Sequence, residues 1–254
     1  MAEKPWYETL FEREDYLRSY EEYFAGLDVR KEGDFLVEKL GLEPGMKVLD
    51  LCCGQGRHVV ELARRGLRVV GQDLSESLLS CAREAAAAAG VAVELVRRDM
   101  REIAWTGEFD AAVSLFTAFG YFESDAENFR VLERVARALK PGGRFCLEIG
   151  SYPWLMRNWQ ARGWMRARDG LVCLDDRKLD WLAGTQSAER TLIEPDGTRK
   201  TQTYRFRLFA PHEIVEWLHR AGFETTALFG DFNGAAFGFG SARLIVIARK
   251  GAAG

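Results

Sequence analysis

At 254 residues the chain is longer than one average domain and shorter than two, a length at which a single α/β core with an insertion is a common solution. Hydrophobic residues at 47% and charged residues at 29% exclude a disordered, collagen-like or coiled-coil protein. A formal net charge of -3, from 35 Lys and Arg against 38 Asp and Glu, excludes a global attraction for phosphate backbones or anionic lipid.

The opening residues, MAEKPWYETLFERED, lack the apolar core of a secretory signal and are too acidic for a transit peptide. With no apolar run long enough to span a bilayer, a cytoplasmic protein without a membrane segment is expected. Aromatic residues at helical spacing from Trp6 to Phe24, a break near Gly26 and the amphipathic segment DFLVEKLGL predict two helices before the first strand. They make residues 1–46 an N-terminal lid.

From Lys47 the pattern changes. The apolar runs KVLDLCC, LRVVGQDL, VAVELVRRD, FDAAVSLFTAF and GRFCLEIG alternate with the helical patterns GRHVVELARRG, SESLLSCAREAAAAAG and residues 125–139. Continuous apolar strands belong to a parallel sheet covered on both faces, and the strand–helix rhythm predicts a doubly wound, Rossmann-like α/β domain. Ser124 and Glu127 form a candidate capping box for the last of these helices. Runs of Arg at 64–68 and 97–101 read as solvated surface.

After Gly150 the rhythm breaks. Residues 151–209 carry Trp154, Trp159, Trp164 and Trp181, and two alternating runs, QSAERTLIE and TQTYRFRLF, joined across Pro195, Asp196 and Gly197. That turn chemistry predicts a hairpin within an inserted antiparallel β cap, with the tryptophans in its core. Pro211 and Gly222 bracket a short helix, two strand-like stretches follow it, and residues 210–250 thereby return to the core. The tail after Lys250 is expected to be disordered. Five cysteines, Cys52, Cys53, Cys81, Cys146 and Cys173, show no CxxC spacing and sit mostly in apolar runs, so neither disulfide nor structural metal is expected.

The chemistry concentrates in VLDLCCGQGRH, a buried strand running through a Gly-rich turn into a helix. Gly54 and Gly56 permit close backbone approach, and the helix start presents free N–H groups to a small polar or anionic ligand. A nicotinamide or flavin dinucleotide site would want a third glycine where Val59 stands. Asp50 in the first strand, Asp73 ending the second and Asp99 following the third place three carboxylates along one sheet edge, where open α/β sheets bind ligands. A ribose diol, an amino group and an adenine amine would use all three. As single residues, Asp73 and Asp99 also serve as turn or helix caps.

The ordered series VLDLCCGQGRH, VVGQDLS, VRRDM, FDAAVSLF and LKPGGRFCLEI resembles the class I S-adenosylmethionine-dependent methyltransferases, over about residues 47–150 and in outline over 211–249. The resemblance implies a seven-stranded, mostly parallel sheet and S-adenosylmethionine as cofactor, with S-adenosylhomocysteine as product. It implies that Gly54 and Gly56 line the aminocarboxypropyl end, that Asp73 takes both ribose hydroxyls, and that Leu74 and Met100 flank an adenine whose amine donates to Asp99. The backbone carbonyl of Leu115 would face the cofactor's amino group. SLFTAFGYF lacks the Asn/Asp-Pro-Pro-aromatic motif of the adenine and protein-glutamine enzymes, and neither Cys52 nor Cys53 resembles the prolyl-cysteine nucleophile of the cytosine enzymes. The implied acceptor is therefore a small-molecule N or O nucleophile and not nucleic acid.

A sulfonium is a good leaving group, so holding the acceptor in line and excluding water do most of the work, and a base is needed only for a protonated nucleophile. Candidates for that base are His58, Tyr121, Glu148 and Tyr152, each also explicable by packing or hydrogen bonding. Tyr16 and Tyr20 are candidate lid residues on the same terms. Two other readings stay open: a non-catalytic sensor of S-adenosylmethionine or its product, and a protein methyltransferase.

Overall fold

The computed structural model describes residues 5–11 and 13–251, and the tail expectation therefore falls largely outside the described residues. Four short helices precede the first strand where two were expected: α1 (Trp6–Leu10), α2 (Arg13–Ser19), α3 (Glu21–Ala25) and α4 (Val29–Leu40). Rings of this aromatic run pack against different partners. Trp6 meets Tyr121 and Phe206, whereas Tyr20, Tyr23 and Phe24 converge on Phe116.

The core then alternates β1 (Lys47–Leu51), α5 (Arg57–Arg64), β2 (Arg68–Asp73), α6 (Glu76–Ala89), β3 (Glu94–Arg97), β4 (Phe109–Ser114), α7 (Asp125–Ala138) and β5 (Leu139–Gly150). The insertion carries α8 (Tyr152–Arg157), β6 (Arg162–Arg166), β7 (Val172–Asp180), β8 (Thr185–Ile193) and β9 (Arg199–Arg207). The chain closes with α9 (Pro211–Arg220), β10 (Phe223–Phe229) and β11 (Arg243–Lys250).

Seven strands form one sheet in the order β10-β11-β5-β4-β1-β2-β3. The pairs β3–β2, β2–β1, β1–β4 and β4–β5 are parallel, while β11 runs antiparallel between β5 and β10. Both faces are covered. One buries Leu49, Leu51, Phe109, Phe145 and Leu147 against α7 and α9, and the other buries Val48, Val69, Val113 and Ile245 against α4 and α5. The strand order reverses between β1 and β4, and a crevice opens at their carboxyl ends, the place this topology provides for a ligand. Ser124 caps α7 by accepting from the Glu127 amide, but its hydroxyl donates to the Glu127 carboxylate, so the reciprocal half of the expected box is replaced.

The inserted strands form a four-stranded antiparallel sheet, β6-β7-β8-β9, with the β8–β9 hairpin turning at the expected Pro-Asp-Gly. Its small core is Ala167, Leu171, Cys173 and Leu192. The tryptophans are not in it. Trp164 and Trp181 are 73% and 68% exposed and Trp154 is exposed as well, because β6 is an edge strand and Trp181 sits at the β7–β8 turn. The sheet's other hydrophobic contact is with α1, where Leu10 and Trp6 meet Ala188, Tyr204 and Phe206. Ion pairs Arg18–Asp169, Arg18–Glu194, Arg168–Glu22 and Lys200–Asp15 tie it to the N-terminal helices.

Candidate active site

A cavity of ≈ 300 Å³ lies at the carboxyl ends of β1, β2 and β4. All three expected carboxylates, Asp50, Asp73 and Asp99, line it, together with Gly54, Leu74, Met100 and Leu115. Gly56 does not face the space. It is the N-cap of α5 at φ 80°, and an added Cβ would lie 2.7 Å from the Cβ of Ala82 on α6, so this glycine serves helix packing as well as backbone conformation.

The local hydrogen bonds explain why these acids stand where they do. Asp73 accepts from the Gly54 amide through Oδ2 and from the Ser75 amide through Oδ1, both at 2.8 Å, locking the glycine turn to the end of β2. Burial raises its pKa, and those backbone donors pull it back down. A carboxylate has about four lone-pair sites, so each oxygen keeps capacity for one more donor. Asp99 accepts from the Arg101 amide and from the Arg101 guanidinium, through Oδ1 at 3.1 Å and Oδ2 at 2.6 Å. Arg101 thus differs from the solvated surface residue expected: it also reaches Glu127 and the Tyr7 hydroxyl, linking the Asp99 corner to α1. Arg65 departs likewise, pairing with Asp34 and Glu61 to join α4 to α5.

Asp50 is different. Its Oδ2 is buried without a partner, and burial pushes its carboxyl up to about 6, partly opposed by His58. Gln72 Oε1 and Arg57 Nη1 are likewise buried without partners, and all three residues line the same cavity. Buried polar atoms left unpaired are rare in folded proteins, and three around one space mark a ligand site with acceptors and a donor waiting.

The roof comes from elsewhere in the chain. Tyr7, Phe11, Tyr16 and Phe24 from the N-terminal helices, and Phe116 and Tyr121 from the loop after β4, complete the lining. Phe11 stacks on Tyr121 at 5.7 Å and meets Tyr16 edge-on. Phe116 and Thr117 both hold positive φ, 61° and 56°, conformations that are strained for such side chains. Glu148 stabilises the turn: its Oε2 accepts from the Phe116 amide, its backbone oxygen from the Thr117 amide, and its Oε1 from Arg243 at 2.7 Å.

The four candidate bases separate accordingly. His58 and Tyr121 line the cavity, but the His58 Nε2 is held at 2.7 Å from Glu32, both side chains buried. Glu148 lies beneath the loop with both oxygens engaged, and Tyr152, on α8, is not among the lining residues. Of the two candidate lid residues, Tyr16 lines the cavity and Tyr20 packs behind it, its ring against Tyr16, Phe24 and Phe116. Cys52 also lines the space, at a positive φ of 59° with its Sγ 4.0 Å from Met100 Sδ, and burial raises its thiol pKa well above the ordinary value. All five cysteines are free thiols. Among the described residues no His, Cys, Asp and Glu cluster of metal-binding size occurs, and no helix is long and apolar enough to cross a membrane.

A doubly wound sheet whose carboxyl edge presents a glycine turn and three acids to an enclosed cavity defines a nucleoside-binding α/β enzyme core. Residues 48–143 match the family model described as a methyltransferase domain. The dTDP-3-amino-3,4,6-trideoxy-alpha-D-glucopyranose N,N-dimethyltransferase of Streptomyces venezuelae is 32% identical over 178 residues, covering 70% of this chain and 71% of that protein. Among solved structures, an S-adenosylmethionine-dependent methyltransferase from Clostridium acetobutylicum aligns with a TM-score of 0.79 at 19% identity, covering 91% of this chain and 96% of that one. An amino pentose methyltransferase from Micromonospora echinaspora, solved with S-adenosylmethionine bound, gives 0.68 at 22% identity over 91% and 96% of the two chains. The chain belongs to the class I S-adenosylmethionine-dependent methyltransferases, and its orphaned Asp50 and Gln72 oxygens are acceptors that fit that cofactor's N–H and O–H donors.

Proposed function

We propose that the enzyme methylates an amine nitrogen of a small molecule, with the N-terminal helices and the 151–209 insertion forming the substrate side. The observation that carries this reading is the composition of the cavity roof, where Phe11, Tyr16, Phe24, Phe116 and Tyr121 face the space that the carboxylates line from below. Aromatic faces attract a cation, and methyl transfer to an amine passes positive charge from sulfonium to ammonium, so such a wall favours charge on both sides of the transfer. The Streptomyces venezuelae relative is named for dimethylating an amino sugar nucleotide, which agrees with an amine acceptor.

In this reading Asp73 takes the ribose hydroxyls, Asp99 accepts from the adenine amine between Leu74 and Met100, and the Leu115 carbonyl and Asp50 face the cofactor's amino group. Gly54 gives the close approach at the aminocarboxypropyl end. The chain's own contribution to catalysis is then orientation and exclusion of water beneath the aromatic roof, with an uncharged amine needing no strong base. Tyr121 and Tyr16, whose hydroxyls are held neutral by burial, fit as hydrogen-bonding positioners, not as proton acceptors.

The test is a mass-shift screen with S-adenosylmethionine across amino sugars, amino acids, simple amines, phenols, a peptide pool and RNA. Addition of 14 Da per transfer (about the mass of CH₂) to amine-bearing small molecules alone is the expected result. Transfer to phenols, peptides or RNA alone would overturn the acceptor assignment, and tight cofactor binding with no transfer to any of them would favour a sensor.

A further inference from the structure

A second concavity, of ≈ 470 Å³, lies between α7 and residues 101–104 of the connection from β3 to β4. Arg130, Arg134 and Arg137 line it from α7, and Arg101 and Glu102 line it from the connection. The spacing i, i+4, i+7 puts the three helix arginines on one face of α7, distinct from the face that buries Asn128, Val131 and Val135.

The chain as a whole is acidic, so this basic strip runs against its net charge of -3. Its charges are not answered from within. Among the described residues the side chains of Arg130 and Arg134 make no hydrogen bond or ion pair, whereas Arg65, Arg83, Arg162 and Arg168 on other surfaces each lie against a carboxylate. Arg137 donates to the Thr106 hydroxyl at 2.9 Å, a neutral partner. Arg101 already holds Asp99 and Glu127, which leaves Glu102 as the acid lining the groove that pairs with nothing there; Glu133, also on α7, lies outside it. Like charges at i, i+4 weaken a helix. The helix dipole favours a cation in the last turn, which accounts for Arg137 but not for Arg130 and Arg134.

A guanidinium meets a phosphate through two parallel N–H donors, and three of them spread over about 10 Å of helix suit a chain of phosphoryl groups better than a single one. We propose that this groove binds a polyphosphate anion, free or carried by a nucleoside, at a site separate from methyl transfer. Arg130 and Arg134 supply the open donors, Arg137 adds a third cation, and Glu102 opposes the ligand. Arg101, bonded to Asp99 on its other side, is the partition between this groove and the cofactor cavity.

Isothermal titration of the full chain tests this without a methyl acceptor. Sodium tripolyphosphate should bind one per chain, orthophosphate should bind roughly tenfold or more weakly, and added KCl should weaken both. Arg130→Gln combined with Arg134→Gln should lower tripolyphosphate affinity roughly ten- to hundredfold, the range for loss of charged hydrogen bonds. The pair Arg83→Gln with Arg162→Gln removes the same charge from other surfaces and should stay within about twofold of wild type. Glu102→Gln should act in the opposite direction and tighten binding. These side chains are exposed or half-exposed, and thermal unfolding without ligand checks that each variant folds. ATP is titrated with S-adenosylhomocysteine saturating, so that its adenosine does not enter the cofactor cavity. Equal affinity for ATP and tripolyphosphate would mean that the phosphate chain alone is read, and tighter ATP that the nucleoside is held too; both support the site. No tripolyphosphate binding by the wild type, equal weakening in the two arginine pairs, or binding confined to an RNA oligonucleotide would each overturn it.

Discussion

Asp50 at the carboxyl edge of the seven-stranded sheet and Asp175 in the four-stranded sheet are both buried carboxylates, and the structure leaves them in opposite states. Asp175 on β7 accepts from Arg190 Nε at 2.7 Å, from Arg190 Nη2 at 3.0 Å and from Arg177 at 2.7 Å. Arg190 in turn lies over Tyr20 and Tyr204, joining the inserted sheet to the N-terminal helices. Both oxygens of that carboxylate are engaged, and the paired arginines hold its pKa below the ordinary range against the opposing effect of burial. Asp50 on β1 has an empty oxygen and a raised pKa. An unpartnered oxygen thus separates Asp50 from Asp175 where burial alone cannot, since both are almost fully buried.

The largest expected effect falls on Asp175. Arg190→Met strands Asp175 beside a single remaining arginine, and removal of one member of a buried pair should cost about 3 kcal/mol, read as a lowered midpoint in urea. Replacing both, Arg190→Met with Asp175→Leu, should recover much of it. If the single variant melts like wild type, Asp175 does not hold the fold.

On the binding edge, Asp73→Ala removes the acceptor of the Gly54 and Ser75 amides together with both proposed ribose bonds. A loss of about a hundredfold or more in S-adenosylhomocysteine affinity is expected, equivalent to about 2.7 kcal/mol, with thermal unfolding of the ligand-free variant measured alongside. Full affinity in that variant would remove the ribose assignment.

The comparison sharpens further through pH. Asp50 titrates near 6 in the folded chain and at its ordinary value of 3.8 once unfolded. Between those values the folded state holds a proton that the unfolded state has released, so Asp50 makes ligand-free stability fall as pH rises from about 4 to 6, and above that its penalty is constant. The stability difference between wild type and Asp50→Asn should follow that curve. Asp175, with a lowered pKa, works the other way, its contribution fading as pH falls through the acid range. A flat difference for Asp50→Asn would mean that Oδ2 is not desolvated.

Much of the binding edge was legible beforehand because it is local. A strand, a tight turn and a helix start lie within a dozen residues of Asp50, and the acids at successive strand ends follow from the β–α–β rhythm. The roof was not, since Phe11 and Tyr16 meet Tyr121 and Asp73 only after more than fifty residues of intervening chain fold into place. Arg57 lies within VLDLCCGQGRH, yet only its buried, unpartnered Nη1 singles it out. The letters of the sequence make Glu148 a candidate base, and the positive φ at Phe116 and Thr117 that explains its real partners has no signature in SLFTAF.

The tryptophans mark the same limit and give the smallest expected effect. Composition makes Trp164 a core residue, yet its strand is the sheet's edge and its ring stands out in register with Leu174 on β7, which is also exposed. Large apolar residues contribute to stability through the water-accessible area they lose on folding, and Trp164 loses little. Trp164→Ala should therefore shift unfolding by less than about 0.5 kcal/mol, the range for surface substitutions away from special features. A shift of several times that would mean the β6 edge is covered in solution, and a concentration-dependent melting midpoint would then identify a second copy of the chain as what covers it.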